Sequence, residues 1–401
     1  MTAETAQKFK ALEAQASTLF EIFTNAQYEP VAPAVLQPAD IFLDQIGEML
    51  RARTYVFTAP DGEELCLRPD LTVPISRLYL ERHPDASAVA RYCYNGSAFR
   101  FQPEGRTQAR PREFRQAGIE NIGVRDLEKA EAETLGLTIK AVQACGLKSF
   151  IIRFGDLGLF QALIEALDIP PRWQARLKHQ FWRPASFHDL LHRLLSDEPA
   201  TQRSQASIIL TKLAGAPEKD ASEIVRQYLE KQGIPFVSDR SLTEIAERLL
   251  EKREDIHGPP LSKDIAQLIE NYLAISGPPR AAFARIVDLS KVAQINIDGA
   301  LQAYTKRLDL FAEADIPLSD AIFNAEFGRN LEYYTGFVFQ LEHPELDLPA
   351  GHIGGGGRYD HLIGEIGKGH SIPAVGGGIH TERLLLAVEG LSIEGEDTEN
   401  D

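Results

Sequence analysis

Two short segments of this 401-residue chain carry polar side chains at a spacing that suits a small charged ligand. The first is residues 67–74, LRPDLTVP, in which Asp70 and Thr72 lie two residues apart at a predicted strand-to-helix junction. A carboxylate and a hydroxyl placed in this way can receive a ligand ammonium group. Helix capping is the alternative, because the same side chains can satisfy the free N–H groups of a first helical turn.

The second segment, residues 99–120, concentrates positive charge in an otherwise acidic chain. Its arginines are Arg100, Arg106, Arg110, Arg112 and Arg115. Gln116, Gly118 and Glu120 alternate along a predicted strand and so line one surface, above which Gly118 is expected to leave open space. The local reversal of charge suits an anionic ligand or an acidic partner surface. A solvated loop with exposed arginines is the alternative.

Glycine-rich runs at residues 354–357 and 376–378 form a third feature of the sequence. Such runs permit close approach of the backbone to a ligand or to a neighbouring strand. Neither run has the spacing of a P-loop or of a dinucleotide-binding loop, so these two kinds of nucleotide site are not predicted. Tight strand packing is the simpler interpretation.

Four histidines fall nine residues apart, at positions 343, 352, 361 and 370. This interval is neither a helical nor a strand period, and no HxxxH or HExxH pattern is present. We therefore interpret the spacing as chance, and the sequence predicts neither a metal site nor a cofactor.

The elements that must position these side chains form two mixed α/β stretches separated by a helical one. Apolar periodicity predicts helices at 5–26, 72–82, 127–145, 297–315 and 382–389, and strands at 54–58, 64–68, 89–102, 112–122, 149–154, 321–327 and 337–342. Pro60 and the Asp61-Gly62 pair predict a hairpin between the first two strands. The implied division is a core at 1–165 and 280–391, a mainly helical insertion at 166–279 with one short strand at 234–237, and an acidic tail at 392–401.

Composition limits the partners that the chain can have. Asp and Glu number 58 against 42 Lys and Arg, a formal net charge of -16 that argues against nucleic acid as the principal partner. The hydrophobic fraction of 44% is that of an ordinary globular protein. Three cysteines without CxxC spacing do not indicate disulfides or zinc. With no predicted membrane span or signal peptide, a cytoplasmic protein is expected.

In order and spacing, the segments resemble histidyl-tRNA synthetase, a class II aminoacyl-tRNA synthetase. LRPDLT is similar to that family's LRPE-x-T segment, and FRF…REFRQAGIE is similar to its motif 2. GRNLEYYTGFVF and GGGGRYDHL resemble its two histidine-specific signatures, and GGGIHTERLLL resembles motif 3. The resemblance implies an α+β fold with an antiparallel sheet flanked by helices, usually dimeric.

The resemblance also implies a histidine pocket. Its binding residues would be Asp70, Thr72, Arg100, Gln116, Glu120, Arg329, Tyr333 and Tyr334. In this set the acidic, hydroxyl and amide groups receive the ligand's ammonium and imidazole, the tyrosines form an aromatic wall, and the arginines include one beside the ligand carboxylate. Asp70 stands where the family usually has Glu, and Glu332 where it usually has Asp.

Departures from the synthetase pattern affect the nucleotide site and the tRNA site. Gln102 replaces the motif 2 carboxylate, and His380 replaces the second glycine of motif 3, where a side chain should crowd the floor on which ATP lies. Arg383 of motif 3 is retained. The chain ends soon after motif 3, whereas a bacterial synthetase would continue into an anticodon-binding domain of ~100 residues.

These departures match a paralogous family, the regulatory subunits of ATP phosphoribosyltransferase. The resemblance implies a chain without catalytic residues that binds L-histidine for feedback inhibition and joins a short-form catalytic subunit in a hetero-octamer, without tRNA or membrane. Two alternatives stay open. One is a truncated synthetase-like enzyme that activates histidine with ATP, and the other is a scaffold with a vestigial pocket.

Overall fold

A computed structural model of the chain divides it into two compact units. The first combines Met1–Ala166 with Asn271–Asp401, and the second is Leu167–Glu270. The structure describes residues 5–45, 52–85, 87–102, 105, 110–195, 209, 213, 221–231, 249, 260–328, 333–346, 350–367 and 369–389. The domain boundaries predicted from the sequence stay a prediction.

A nine-stranded sheet forms the centre of the first unit, in the order β1-β5-β6-β12-β11-β10-β7-β9-β8. Its strands are β1 (Glu29–Pro30), β5 (Ala90–Phe99), β6 (Glu113–Ile122), β7 (Ile151–Asp156), β8 (Ser276–Gly277), β9 (Ala321–Asn324), β10 (Phe337–Glu342), β11 (His352–Arg358) and β12 (Ala374–His380). Neighbours are antiparallel except β1 with β5 and β7 with β9, which are parallel. The sheet is therefore mixed, and the predicted antiparallel arrangement holds for the strands at its centre.

A separate three-stranded sheet carries the predicted hairpin. It consists of β2 (Leu36–Pro38), β3 (Tyr55–Thr58) and β4 (Glu64–Leu67), with β4 in the middle and both pairs antiparallel. The hairpin prediction is confirmed. Because β4 ends at Leu67, the chain passes directly from this sheet into the segment that contains Asp70.

Helices of the first unit flank the large sheet. They are α1 (Ala6–Asn25), α2 (Ala39–Gln45), α3 (Thr72–Arg82), α4 (Leu127–Ala144), α5 (Leu157–Ala166), α10 (Pro279–Val292), α11 (Asp298–Glu313), α12 (Leu362–Gly367) and α13 (Thr381–Glu389). The five predicted helices are confirmed with ends within two residues. The strand predicted at 321–327 is shorter in the structure. It ends at Asn324 because the Phe327 N–H donates to the Asn324 carbonyl at 3.1 Å, which turns the chain.

An aromatic cluster fills the core between the far half of the sheet and α11. The Phe154 ring lies 5.7 Å from that of Phe323, 5.8 Å from that of Phe337 and 6.1 Å from that of Phe311, mostly in edge-to-face arrangements. Such pairs add about 0.5–1.5 kcal/mol each beyond the burial of their area. This cluster fixes the position of β7 and β10 and so of the glycine-rich strands beside them.

A buried ion triad lies next to the aromatic cluster. Arg307 of α11 donates to Glu131 of α4 and to Asp156 at the end of β7, each at 2.6 Å. The relative exposure of these side chains is 5% or less. The Arg307 guanidinium also lies over the Phe337 ring, at 5.1 Å from its centroid. One arginine thus joins two helices and a strand.

The second unit is helical where it is described. It contains α6 (Pro171–Gln180), α7 (Pro184–Leu195), α8 (Ala221–Lys231) and most of α9 (Lys263–Leu273). Buried apolar residues follow helical spacing, as in Phe187, Leu190, Leu191 and Leu194 of α7. The predicted strand at 234–237 and the predicted tail at 392–401 lie outside the described residues. None of the described helices meets the length and hydropathy needed to span a membrane.

Candidate ligand-binding pocket

Strand β6 supplies the floor of the pocket. Glu120 pairs in register with Gly376 of β12, and Gly118 pairs with Gly378. A Cβ atom on Gly376 would lie 1.7 Å from Glu120 Oε2, so the Glu120 carboxylate occupies the space that a side chain at that position would need. The glycine run in β12 therefore serves close side-chain approach as well as strand packing.

Gly118 does not leave open space, contrary to the sequence-based expectation. A Cβ atom here would lie 2.2 Å from the Gly377 carbonyl oxygen and 2.6 Å from the Tyr94 hydroxyl. Tyr94 of β5 pairs in register with Gly118, so its ring crosses the strand at the only position where β6 has no side chain. The expectation was wrong because it considered β6 alone and not its neighbour.

Glu120 lies at the centre of a group of hydroxyls. Its relative exposure is 1%, Thr72 donates to Oε1 at 2.8 Å, and the Tyr359 hydroxyl donates to Oε2. Burial raises the pKa of the Glu120 carboxyl to about 8. The charge of Asp70 raises it as well, whereas the hydroxyl donors oppose the increase.

Asp70 uses one carboxylate oxygen to cap the first turn of α3, and its second oxygen takes no part in the cap. Its Oδ1 accepts from the Val73 backbone N–H at 3.2 Å, at the start of α3, as the capping interpretation predicts. Its Oδ2 is buried without a hydrogen-bond partner in the structure. Burial raises the pKa of this carboxyl, and the positive charge of Arg100 acts in the opposite direction. Capping and ligand binding are therefore compatible at this residue.

Gln116 leaves a second acceptor without a partner. Its amide Nε2 donates to the Tyr94 hydroxyl at 3.2 Å, while its Oε1 is buried and makes no hydrogen bond. Buried polar atoms in native proteins are almost always paired. Among the described residues, the unpartnered atoms of Gln116 and Asp70 are both acceptors, so they suit a ligand that supplies N–H donors.

Three tyrosines form one wall. The rings of Tyr333 and Tyr334 lie 4.8 Å apart, and the Tyr333 ring meets that of Tyr359 edge-on at 5.8 Å. Tyr333 and Tyr334 have relative exposures of 7% and 6%. The structure thus brings the two predicted tyrosines next to the residue that hydrogen-bonds Glu120.

The two predicted arginines have different outcomes. Arg100 lies at the edge of the pocket, where its Nε donates to the Pro69 carbonyl at 2.8 Å and its charge acts on Asp70. Its guanidinium also stacks over the Phe114 ring, 5.0 Å from the centroid. Arg329 and its neighbour Glu332 lie outside the described residues, so the position of Arg329 stays a prediction.

His380 fills the region in which the resemblance places ATP. Its ring centroid lies 5.1 Å from that of Phe114 and 5.7 Å from that of His352. Arg383 is half-buried beside it and donates to the His352 carbonyl at 3.2 Å. Burial, followed by the nearby charge of Arg100, lowers the pKa of Arg383 to about 10. Arg100 and Arg383 are thus both present in this region, together with the rings of Phe114 and His380.

Gln102 has lost the ligand-facing role that a motif 2 carboxylate would have. Its relative exposure is 6%, its Oε1 accepts from Arg53, and its Nε2 donates to the Pro111 carbonyl at 3.0 Å. The amide therefore closes the base of the arginine-rich loop. In the part of the chain that the structure covers, no group of three or more His, Cys, Asp or Glu side chains is arranged to hold a metal ion.

Sequence reasoning missed Tyr94 and Tyr359. The signal for Tyr94 is cross-strand register, since the residue opposite a glycine between two polar side chains has room to cover it. The signal for Tyr359 is its position directly after four glycines and Arg358, at the end of a strand next to β12. Both tyrosines are 1% exposed, and burial raises the pKa of each hydroxyl.

A methyl group on Gly118 should destroy the pocket. We expect Gly118→Ala to lower the thermal unfolding temperature and to weaken ligand binding at least tenfold, since its Cβ would clash with the Gly377 carbonyl and displace Tyr94. The matched control is Gly299→Ala in α11, where a Cβ meets nothing within 4 Å. The control should keep or slightly raise stability. Equal behaviour of the two variants in differential scanning fluorimetry would contradict the prediction.

Comparisons with known proteins identify the fold. The family model described as Histidyl-tRNA synthetase matches residues 4–268 and 223–384. A solved structure described as an ATP phosphoribosyltransferase regulatory subunit/histidyl-tRNA synthetase from Bacillus halodurans superposes with a TM-score of 0.67 at 20% identity, covering 97% of this chain and 82% of that one. Histidyl-tRNA synthetase from Nostoc gives a TM-score of 0.61 at 17% identity, covering 97% and 76%. The fold is that of the class II aminoacyl-tRNA synthetases, in its histidyl form.

Relatives with higher sequence identity show which family within this fold class the chain belongs to. The protein of Agrobacterium fabrum named ATP phosphoribosyltransferase regulatory subunit is 34% identical to this chain over 376 residues. The match covers 94% of this chain and 96% of that one. The corresponding protein of Chelativorans sp. is 33% identical over 373 residues, covering 92% and 96%. The chain belongs to the family of ATP phosphoribosyltransferase regulatory subunits.

Proposed function

We propose that the chain is a non-catalytic subunit that binds L-histidine and transmits its concentration to a catalytic ATP phosphoribosyltransferase subunit. The observation that carries this proposal is the pair of buried acceptors without partners, Asp70 Oδ2 and Gln116 Oε1. The ammonium group of an amino acid supplies the donors that these atoms need, and its imidazole ring would face the Glu120 carboxyl.

The nucleotide side of the pocket supports a role without catalysis. In the synthetase pattern ATP lies on the floor at position 380, and here the His380 side chain is present at that position and packs against Phe114. The carboxylate of motif 2 is replaced by Gln102, whose amide is engaged with Arg53 and Pro111. Both changes leave the histidine side of the pocket intact.

The partners follow from the family. We propose a short-form catalytic subunit as the partner, in a cytoplasmic hetero-octamer that does not include tRNA. Feedback requires that histidine favour one arrangement of this assembly, and a coupling of about 1–3 kcal/mol is typical and reciprocal. Histidine binding and the equilibrium between the arrangements of the assembly must therefore influence each other by the same factor.

Two experiments test the proposal. Calorimetric titration of the purified chain with L-histidine should give saturable binding at micromolar to millimolar concentrations. Co-expression with a short-form catalytic subunit, followed by native mass measurement and activity assays, should give a complex that histidine inhibits. A complex whose activity ignores histidine, together with a chain that does not bind it, would refute the proposal.

The retained arginines favour one competing function. Arg100 and Arg383 are the groups that would stabilise charge in an adenylate-forming transition state. A synthetase-like enzyme would catalyse histidine-dependent exchange between pyrophosphate and ATP. We expect no exchange above background with this chain, and robust exchange would favour the enzyme.

Self-association through the small sheet is a further part of the proposal. One face of this sheet is wholly apolar, and each of its residues is exposed or half-buried: Leu36, Pro38, Tyr55, Phe57, Leu65 and Leu67. Exposed apolar patches of this kind mark interfaces, and an apolar sheet face can pack on its own copy about a two-fold axis.

We expect Phe57→Asp to convert the chain to a monomer in size-exclusion chromatography with light scattering. Phe57 is 41% exposed, so the substitution should leave the fold unchanged. The matched control is Val292→Asp at the end of α10, where the side chain is 87% exposed and lies outside this face. A dimer that survives the first substitution would place the interface elsewhere.

A further inference from the structure

The pocket combines two buried carboxyl groups with hydroxyls. Asp70 is 2% exposed and Glu120 is 1% exposed, and the charge of each bears on the other through a dry interior. Each hydrogen bond that Glu120 makes within the described part of the chain comes from a hydroxyl, on Thr72, Tyr94 or Tyr359. Two negative charges in such surroundings are unfavourable, so an empty pocket should keep one proton.

The groups around Glu120 in the described part of the chain include no cation in hydrogen-bond contact with it that could replace this proton. Titratable or charged groups near it come from the segment before α3, from β5, from the residue after β11 and from the residue before β1, while β12 places Gly376 opposite it. These groups are Asp70, Tyr94, Tyr359 and Tyr28. Arg100 and Arg68 act on Asp70, and their positive charges favour its ionised form against the effect of burial. Burial raises the pKa of Glu120 to about 8, which agrees with a proton located on this carboxyl at neutral pH.

We propose that Glu120 holds a proton for the side chain of the ligand, and that the pocket selects an amino acid whose side chain has a basic ring nitrogen. This inference rests on the proposed function. On binding, the O–H bond of Glu120 breaks and an N–H bond forms on the ring nitrogen, so that a carboxylate faces a protonated ring. Asp70 and Gln116 then accept from the ligand ammonium group.

The number of protons in the complex follows from this step. Free imidazole has a pKa of about 6.5. Below that pH the free ligand and the free pocket each carry a proton, the complex holds one, and binding releases the other. Well above pH 8 neither partner carries a proton, so binding must take one up. Affinity for L-histidine should therefore be highest near pH 7 and should fall toward tenfold per pH unit on either side.

An amino acid whose ring has the shape of imidazole but is much less basic tests whether the pocket requires a basic ring nitrogen. Triazolylalanine has a five-membered ring that matches imidazole in size but is far less basic. It cannot accept the proton of Glu120, so we expect it to bind at least tenfold more weakly than L-histidine at pH 7. Equal affinity for the two amino acids would overturn the proposal.

The test is isothermal titration calorimetry of the full chain with L-histidine at pH 5.5, 7.0 and 8.5, each in two buffers of different ionisation enthalpy. The expected result is proton release at the lowest pH, little exchange at pH 7.0 and proton uptake at the highest. Binding without any change in proton number across this range would overturn proton sharing while leaving the proposed function intact. Absence of binding at all three pH values would instead refute the proposed function.

Two variants separate Glu120 from other titrating groups. In Glu120→Gln the amide cannot take up a proton, so the loss of affinity on the alkaline side should disappear, while the acidic side remains. A decline caused by the ligand's own ammonium group would persist in this variant. In Tyr359→Phe, the loss of a hydrogen bond that lowers the pKa of Glu120 should move the alkaline decline to higher pH. Glu133→Gln, on α4, is the control and should keep the original profile.

Discussion

Replacing Arg307 with methionine should lower the free energy of unfolding by about 3–5 kcal/mol, the largest effect on stability that we expect from a single substitution in this chain. Arg307 is 2% exposed and donates to both Glu131 and Asp156 at 2.6 Å. Without it, two carboxyl groups would remain in the core without the cation that hydrogen-bonds both of them.

The energetic asymmetry of buried ion pairs explains this magnitude. Breaking such a pair is costly because the remaining charge cannot be solvated, whereas replacing all partners by neutral groups is often neutral. Burial raises the pKa of Glu131 to about 7 even with Arg307 present, because the charge of the arginine only partly offsets the loss of solvent. The variant should therefore lose more stability at pH 8 than at pH 6, where Glu131 can take up a proton.

Urea denaturation at these two pH values measures the effect. Arg280→Met on α10 is the matched control, because Arg280 pairs with Asp309 at 3.1 Å on the surface, where both side chains are about 60% exposed. That control should change stability by less than about 0.5 kcal/mol. The triple variant with Glu131→Gln and Asp156→Asn should recover part of the loss, and an Arg307 variant as stable as the control would show that the triad contributes little.

The helices and most strands of the first unit could be predicted because their apolar periods are regular. The period of α4 places Leu135, Ile139 and Val142 on one buried face, and the same repeat predicted its ends within one residue. The parallel pairing of β7 with β9 could not be predicted, since these strands are separated by the whole second unit. Local pattern carries no information about such long-range pairing.

The pocket was predictable in its outline but not in its detail. Alternation along β6 correctly placed Gln116 and Glu120 on one face, because that depends on a single strand. The hydroxyls of Tyr94 and Tyr359 were missed, since their positions depend on register between β5, β6, β12 and β11. The Arg307 triad was missed for the same reason, because its three members come from separate elements.

Changing Asp70 to asparagine should weaken the binding of L-histidine by about 10- to 150-fold, the largest effect on ligand binding that we expect without loss of the fold. The unpaired Oδ2 of Asp70 is the acceptor we assign to the ligand ammonium group. A hydrogen bond between charged groups contributes about 1.5–3 kcal/mol, which corresponds to this range of affinity. The substitution also replaces one acceptor oxygen by an amide N–H group, which repels an ammonium group.

The effect on stability should have the opposite sign, and this combination distinguishes a binding residue from a purely structural cap. Burial raises the pKa of the Asp70 carboxyl, so ionising this group costs stability in the folded chain as the pH rises through that pKa. Asparagine keeps the oxygen that accepts from Val73 and removes the charge. We therefore expect the variant to unfold at the same temperature as the parent at acidic pH and at a higher one above neutral pH.

A matched control is available at Asp126, which caps α4 in the same way by accepting from the Lys129 backbone N–H at 3.4 Å. Asp126→Asn should leave histidine affinity unchanged in calorimetry. In the reconstituted complex, the histidine concentration for half-maximal inhibition should rise in the Asp70 variant by the same factor as its dissociation constant, because the substitution weakens histidine binding and leaves the coupling to the catalytic subunit unchanged. If Asp70→Asn instead lowers stability and leaves histidine binding intact, the residue is a helix cap alone and the ammonium group must be received elsewhere in the pocket.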